Sequence, residues 1–125
     1  MPAHFESWKV EIAEEIHRRA ESAGLTGSLA VAVAIAESGL DFHASGDAGC
    51  SKSLFQWNEC VRGKMPDDII GAWIGEVSEN AKRSGWSEDR GLTRWNAPQL
   101  AEHGSWWQSA YLKKVRKIHE EIKNI

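Results

Sequence analysis

The most constraining feature of the sequence is an apolar run, residues 29–36, that ends directly in Glu37. The run alternates alanine with larger aliphatic residues, which taken literally is the pattern of a strand. Its four alanines favour a helix instead, because alanine is the best helix former and is depleted in strands. We therefore predict a central helix that is apolar on all sides and buried, with Gly39 as its C-terminal cap.

Glu37 is predicted to be a carboxyl group that keeps its proton near neutral pH. At the C-terminal end of a buried helix the helix dipole disfavours negative charge, and poor solvation acts in the same direction. A protonated carboxyl can donate to a leaving-group oxygen, so Glu37 is a candidate general acid. The alternative reading of the pattern is a surface residue just beyond the end of the helix.

The remaining segments predict a mainly α chain with one irregular insertion after Glu37. Capping residues and helical periodicity predict further helices at residues 4–22, 66–84, 87–95 and 105–123. Residues 40–53 are rich in glycine and polar residues and predict a loop or short hairpin, followed by a short helical turn at residues 54–59. The whole chain, residues 1–125, is expected to form one domain.

Charge and hydropathy exclude several kinds of partner. The net charge is −3 and no run of five like charges occurs, so we expect no binding to nucleic acid. No apolar segment approaches the roughly 20 residues of a membrane-spanning helix, and the N-terminal segment lacks the continuous apolar core of a secretory signal. The five histidines show no metal-ligand spacing, so we expect neither a metal nor another cofactor.

The two cysteines, Cys50 and Cys60, leave the redox state open. They lie ten positions apart and can close a small loop by a disulfide if the protein works outside the cytosol. Two free thiols are equally compatible with the sequence.

Tryptophan is the unusual component of the composition, with seven residues in the chain. Tryptophan brings a large apolar area to a core, and a cluster of tryptophans is also what a groove uses to hold the apolar faces of sugars. Trp8, Trp73 and Trp106 lie on the apolar faces of predicted helices and are expected in the core. For the other tryptophans, Trp57 and Trp95 among them, the composition leaves both interpretations open.

Three short motifs occur in a fixed order along the chain. Glu37-Ser38-Gly39 is followed by Ser-Leu-Phe-Gln at residues 53–56 and later by Arg-Trp-Asn-Ala-Pro at 94–98. The segment Tyr-Leu-Lys-Lys-Val at 111–115, in the predicted last helix, comes after the three motifs. In this order they resemble the lysozyme-like families of peptidoglycan-cleaving enzymes, in particular the soluble lytic transglycosylases. The resemblance covers about residues 27–118 and implies a mainly α, lysozyme-like fold.

A fourth motif, Gly46-Asp47-Ala48-Gly49, is similar to the Gly-Asp-x-Gly of goose-type lysozymes and many phage endolysins. The resemblance implies that Glu37 is the acid for the β-1,4 bond between MurNAc and GlcNAc, and it makes Asp47 a candidate second carboxylate. The side chains that it implies for substrate binding are Ser38, Phe55, Gln56, Trp57, Asn58, Trp95 and Asn96. The sequence departs from the family pattern at Ser53, Trp95 and Pro98, where Gly, Tyr and Gly are usual.

Four functions remain open from the sequence. A lytic transglycosylase needs only the single acid and forms a 1,6-anhydro ring, and we expect this outcome because an Asp among glycines is typical of a turn. A muramidase of the goose type would use Glu37 with Asp47 and release reducing ends. A non-catalytic glycan-binding module, or a structural domain of a phage or secretion assembly, would keep the fold without turnover.

The resemblance also implies where the protein acts and with what. The expected partner is the glycan strand of peptidoglycan. The protein is expected to be a monomer that acts in the periplasm or cell wall. Since no secretory signal is recognised, delivery by a phage, by a virion or by another export route is expected.

Overall fold

The structure is a computed structural model that describes residues 7–123, and it confirms a mainly α fold. The helices are α1 (Ser7–Ser22), α2 (Gly27–Ser38), α3 (Glu59–Arg62), α4 (Ile69–Arg83), α5 (Glu88–Asn96), α6 (Pro98–Ala101) and α7 (Ala110–Ile122). The strands are β1 (Ser45–Gly46), β2 (Ser51–Lys52) and β3 (Trp57–Asn58), which form an antiparallel sheet in the order β1-β2-β3. The start of the first predicted helix, residues 4–6, lies outside the described residues.

The apolar run is the central buried helix α2, as predicted. Its side chains from Leu29 to Ala34 are all buried, and the helix packs against α1 on one side and α7 on the other. Gly39 ends it in the left-handed conformation (φ 66°, ψ 30°) that glycine adopts without strain. The N–H of Gly39 bonds the carbonyl of Ile35, which leaves Glu37 in the last turn.

The polar insertion after α2 is a small sheet held to the next helix by a disulfide. A 3₁₀ turn at Asp47–Gly49 joins β1 to β2, and the register pairs Gly46 with Ser51. Cys50 and Cys60 are bonded to each other, with their Cα atoms 5.4 Å apart. The disulfide therefore fixes α3 beside the hairpin.

Two predicted elements are corrected by the structure. The helical turn expected at residues 54–59 is a non-helical turn that leads into β3, because Ser53 (φ 69°) and Gln56 (φ 50°) take left-handed conformations that a helix excludes. The last helix begins at Ala110 rather than at Ser105. Ser109 is extended (φ −58°, ψ 140°), and its hydroxyl accepts a hydrogen bond from the Leu112 N–H as an N-cap.

The three tryptophans expected in the core differ in exposure. Trp73 is 1% exposed, which confirms the prediction for this residue. Trp106 is half-buried and packs against the core, whereas Trp8 is 43% exposed and its assignment to the core is wrong. The buried stripe of α1 begins at Ile12, one turn after Trp8. Within residues 7–123 no helix is both long and apolar enough to cross a membrane.

Candidate active site

A groove of about 260 Å³ opens beside Glu37, where α2, the hairpin, α3 and α5 meet. The side chains that line it are Glu37, Asp47, Ser51, Gln56, Asn58, Val61, Arg62, Trp95, Asn96 and Pro98. Six of the nine residues predicted from the sequence as site residues therefore lie together: both carboxylates, together with Gln56, Asn58, Trp95 and Asn96.

The Glu37 carboxyl has a pKa raised from its ordinary value of 4.5 to about 7. The largest cause is loss of solvent, which penalises the charged form. Trp95, as a side-chain hydrogen-bond donor, and the Lys114 ammonium both lower the pKa, while the Asp47 carboxylate raises it slightly. Glu37 is thus a carboxyl group that holds a proton through part of the neutral range and still faces an open groove.

The end of α2 is held in place by contacts from α7 and from the turn after β2. The ammonium of Lys114 donates a hydrogen bond to the Ala36 carbonyl over 3.2 Å. The Ser38 hydroxyl donates to the carbonyl of Leu54 at 2.8 Å and accepts from the Asp41 N–H at 3.2 Å. Ser38 therefore links α2 to the insertion; it is not among the groove-lining residues, and its role in substrate binding stays a prediction.

An aromatic stack supports the floor of the groove. The rings of Phe55 and Trp73 are parallel at 4.1 Å, and Trp73 meets Trp95 edge-on at 6.5 Å. Phe55 is fully buried, so the prediction that it binds substrate is wrong. The resemblance implied that role, but the turn in which Ser53 and Gln56 have positive φ directs the ring into the core.

Trp57 lies behind the groove rather than in its lining. Its ring is 6.0 Å from that of Trp95, and its indole N–H donates to the Gly63 carbonyl at 3.1 Å. Trp57 thus supports Trp95 and the end of α3, and its contact with substrate stays a prediction.

Asp47 reaches the groove from a strained turn. Asp47 (φ 50°) and Ala48 (φ 55°) both have left-handed backbones, and the Ser51 hydroxyl donates to Asp47 Oδ2 at 2.6 Å. A Cβ at Gly46 would lie 2.6 Å from Gln56 Oε1, so a larger residue at this position would displace the Gln56 side chain. The carboxylate is thus oriented by the hairpin itself.

Two groove-lining amides are also engaged in local structure. The Gln56 amide nitrogen donates to the Ser53 carbonyl at 3.0 Å, and the Asn58 side chain accepts from the Cys60 N–H at 3.0 Å. These bonds fix the orientation of both side chains. The role of each side chain in substrate binding stays a prediction.

Sequence reasoning missed Arg62, which lines the groove beside Trp95. The signal that would have found it is the disulfide: pairing Cys50 with Cys60 brings residues 59–62 against the hairpin. Ser51, Val61 and Pro98 were likewise not assigned to the site, and Val61 is 80% exposed at its edge.

A larger cavity, about 370 Å³, lies between α1, α2 and the end of α7. It shares no residue with the groove, and its polar lining consists of Glu14, His17, Ser28 and Lys123. We assign the candidate active site to the smaller groove because Glu37, the carboxyl group with the raised pKa, lies there. No group of three or more potential metal ligands occurs within residues 7–123.

Comparison with known proteins gives no further assignment. The chain matches no protein-family model, no curated protein and no solved structure. The groove and the motifs that surround it are therefore the features that bear on function.

Proposed function

We propose that the protein cleaves peptidoglycan at the β-1,4 bond between MurNAc and GlcNAc, with Glu37 as general acid and base. The observation that carries the proposal is a carboxyl pKa of about 7 in an open groove. Near neutral pH such a group is present in both protonation states, so it can donate a proton to the leaving oxygen and later accept one. The motif order around Glu37 supplies the substrate class.

In the transglycosylase form of the reaction, Glu37 protonates the glycosidic oxygen and the bond to C1 of MurNAc breaks. The resulting carboxylate accepts the proton of the C6 hydroxyl of the same sugar, whose oxygen closes on C1. The product is a 1,6-anhydro ring, and no water is consumed. This route is supported by the position of Asp47 in the turn between β1 and β2, because an Asp in a glycine-flanked turn is typically structural.

Hydrolysis is a second candidate because Asp47 lines the same groove and is oriented by Ser51. Glycosidases with two carboxyl groups use the second one as nucleophile or as base for water, at separations of about 5–5.5 Å and about 6.5–9.5 Å respectively. The new sugar ends would then be reducing.

The test is digestion of purified sacculi by the parental protein, Glu37→Gln and Asp47→Asn, with mass analysis of the sugar ends. Glu37→Gln is expected to lose activity by about 10²–10⁴-fold, since the amide has no acidic proton. Asp41→Asn is the control, because Asp41 accepts the His43 N–H in the same insertion but lies outside the groove. Anhydro ends with modest loss in Asp47→Asn support the transglycosylase.

Other outcomes of the same digestion point elsewhere. Reducing ends together with severe loss in Asp47→Asn support the hydrolase. Binding to sacculi without any new ends supports a non-catalytic glycan-binding module. Full activity in Glu37→Gln rules out the assignment of the acid.

We also propose that the protein works in an oxidising compartment, the periplasm or the cell wall. The bonded pair of Cys50 and Cys60 supports this location, because disulfides persist outside the reducing cytosol.

A further inference from the structure

Arg62 is held by four contacts on the floor of the groove. Its guanidinium lies 3.9 Å from the centroid of the Trp95 ring and 5.5 Å from that of Trp57. Nη2 donates to the Trp95 carbonyl oxygen at 3.0 Å, and Nη1 is paired with the Glu76 carboxylate of α4. A planar guanidinium can satisfy a carboxylate, a carbonyl and an aromatic face at once, which an ammonium cannot.

The same contacts fix Trp95 from two directions. Arg62 covers one face of its ring and binds its backbone carbonyl, while Trp73 meets the ring edge-on. Trp95 is 4% exposed, so its indole has little freedom to turn. The indole N–H is a donor only, and Trp95 lines the groove together with Glu37, whose pKa it lowers as a hydrogen-bond donor.

We propose that Arg62 is a positioning residue for the candidate acid: by clamping Trp95 it holds the indole N–H in place beside Glu37 in the groove. The catalytic meaning of this inference rests on the proposed function, but the clamp itself is testable without substrate. Arg62 acts through Trp95, which distinguishes it from a cation that acts on Glu37 by charge alone.

The direction of the effect follows from the contacts of Glu37. The bond from Trp95 favours the carboxylate and lowers its pKa, so loosening Trp95 raises the pKa further above its ordinary value. The other groups that face the acid are Asp47 from the hairpin and Lys114 and Tyr111 from α7. Tyr111 is neutral there, because burial and Glu37 raise its pKa well above the ordinary value. A substitution of Arg62 by lysine changes none of these groups and keeps the positive charge.

The decisive variants are Arg62→Lys, Trp95→Phe and the double substitution. In each, the Glu37 carboxyl is titrated by NMR in the absence of substrate, and the Trp95 indole N–H is followed in the same series. Both single variants are expected to titrate at higher pH than the parent, by roughly half to one pH unit for one hydrogen bond. The double variant should match Trp95→Phe, since Arg62 has no N–H left to position.

Arg90→Lys is the matched control. Arg90 also covers a tryptophan, with its guanidinium 5.7 Å from the Trp106 ring, and its Nε donates to the Ala101 carbonyl at 2.8 Å. Because Arg90 does not line the groove, its substitution should leave the Glu37 titration at the parental pH. If Arg62→Lys fails to fold, as judged by near-UV circular dichroism, Glu76→Gln loosens the clamp from its far end and is expected to shift the titration in the same direction.

Two results would overturn the clamp. One is that Glu37 titrates at the parental pH in correctly folded Arg62→Lys, or in Glu76→Gln if Arg62→Lys does not fold. The other is that adding Arg62→Lys to Trp95→Phe shifts the Glu37 titration by as much as Arg62→Lys does alone. With sacculi as substrate, the alkaline limb of the pH profile of kcat/KM should move to higher pH by the same amount as the Glu37 titration. A parental protein without turnover would refute the proposed function, while the titration alone would still decide the role of Arg62.

Discussion

Replacing Glu37 by glutamine should make the protein more stable at alkaline pH and leave its stability in acid unchanged. The folded pKa of about 7 lies above the ordinary value of 4.5, so the folded protein binds this proton more tightly than the unfolded chain does. The stability that the proton contributes is complete below pH 4.5. It is lost as the pH rises through 7.

The size of the effect follows from the same two values. Their difference of about 2.5 corresponds to about 3 kcal/mol of unfolding free energy, at about 1.4 kcal/mol for each pKa unit. Most of this loss is expected between pH 5 and pH 7. Glutamine has the shape of the protonated acid and carries no charge, so Glu37→Gln should not show the loss.

The measurement is denaturant unfolding of both proteins at pH 4 and pH 8, with the disulfide intact. Other titrating groups, among them His119, whose pKa burial lowers, are present in both proteins and cancel in the comparison. Glu121→Gln, an exposed position on α7, is the control and should follow the parent at both pH values. Equal pH dependence in the parent and in Glu37→Gln would refute the reasoning, because it would mean that Glu37 ionises as freely in the folded protein as in the unfolded chain.

Two further predictions concern the support of the groove. Trp73→Ala should lower the free energy of unfolding by about 3–5 kcal/mol, because it leaves a cavity beneath Phe55 and Trp95. The control Trp86→Ala, at a side chain 66% exposed, should change it by less than about 0.5 kcal/mol. Equal losses in denaturant unfolding would contradict the buried stack. Replacing Cys50 and Cys60 by serine should cost roughly 3 kcal/mol, as expected for a loop of this length, and should weaken binding of chitooligosaccharide measured by tryptophan fluorescence. Unchanged affinity would show that the hairpin and α3 keep their positions without the bond.

The elements that the sequence predicts well are those specified by local pattern. The apolar run with its alanines and the glycine that follows it determine α2 and its end, because periodicity and capping act over a few residues. Asp68 and Ser87 likewise cap α4 and α5 through their side chains, at Gly71 and Arg90. The placement of Glu37 at the groove follows from this local order.

The parts that the sequence did not predict depend on contacts between distant residues or on unusual backbone angles. Phe55 points into the core from a turn in which Ser53 has a positive φ. The residues Ser-Leu-Phe-Gln by themselves do not predict this backbone conformation. Arg62 reaches the groove only because the disulfide and Glu76 of α4 hold it there. Such contacts between distant residues override the conformational preference of the local sequence, and the site depends on them more than the helices do.

The burial of α2 on both sides has a consequence for how the protein is made. This helix has no polar face and is translated before α7, so the side that packs against α7 stays uncovered until residues 110–122 have been translated. Until then the nascent chain exposes an aliphatic surface that other unfinished chains can bind, and it lacks the Lys114 contact that holds the end of α2 beside Glu37. The acid is therefore assembled only when α7 docks, so a chain interrupted before α7 is both prone to aggregation and without an organised groove.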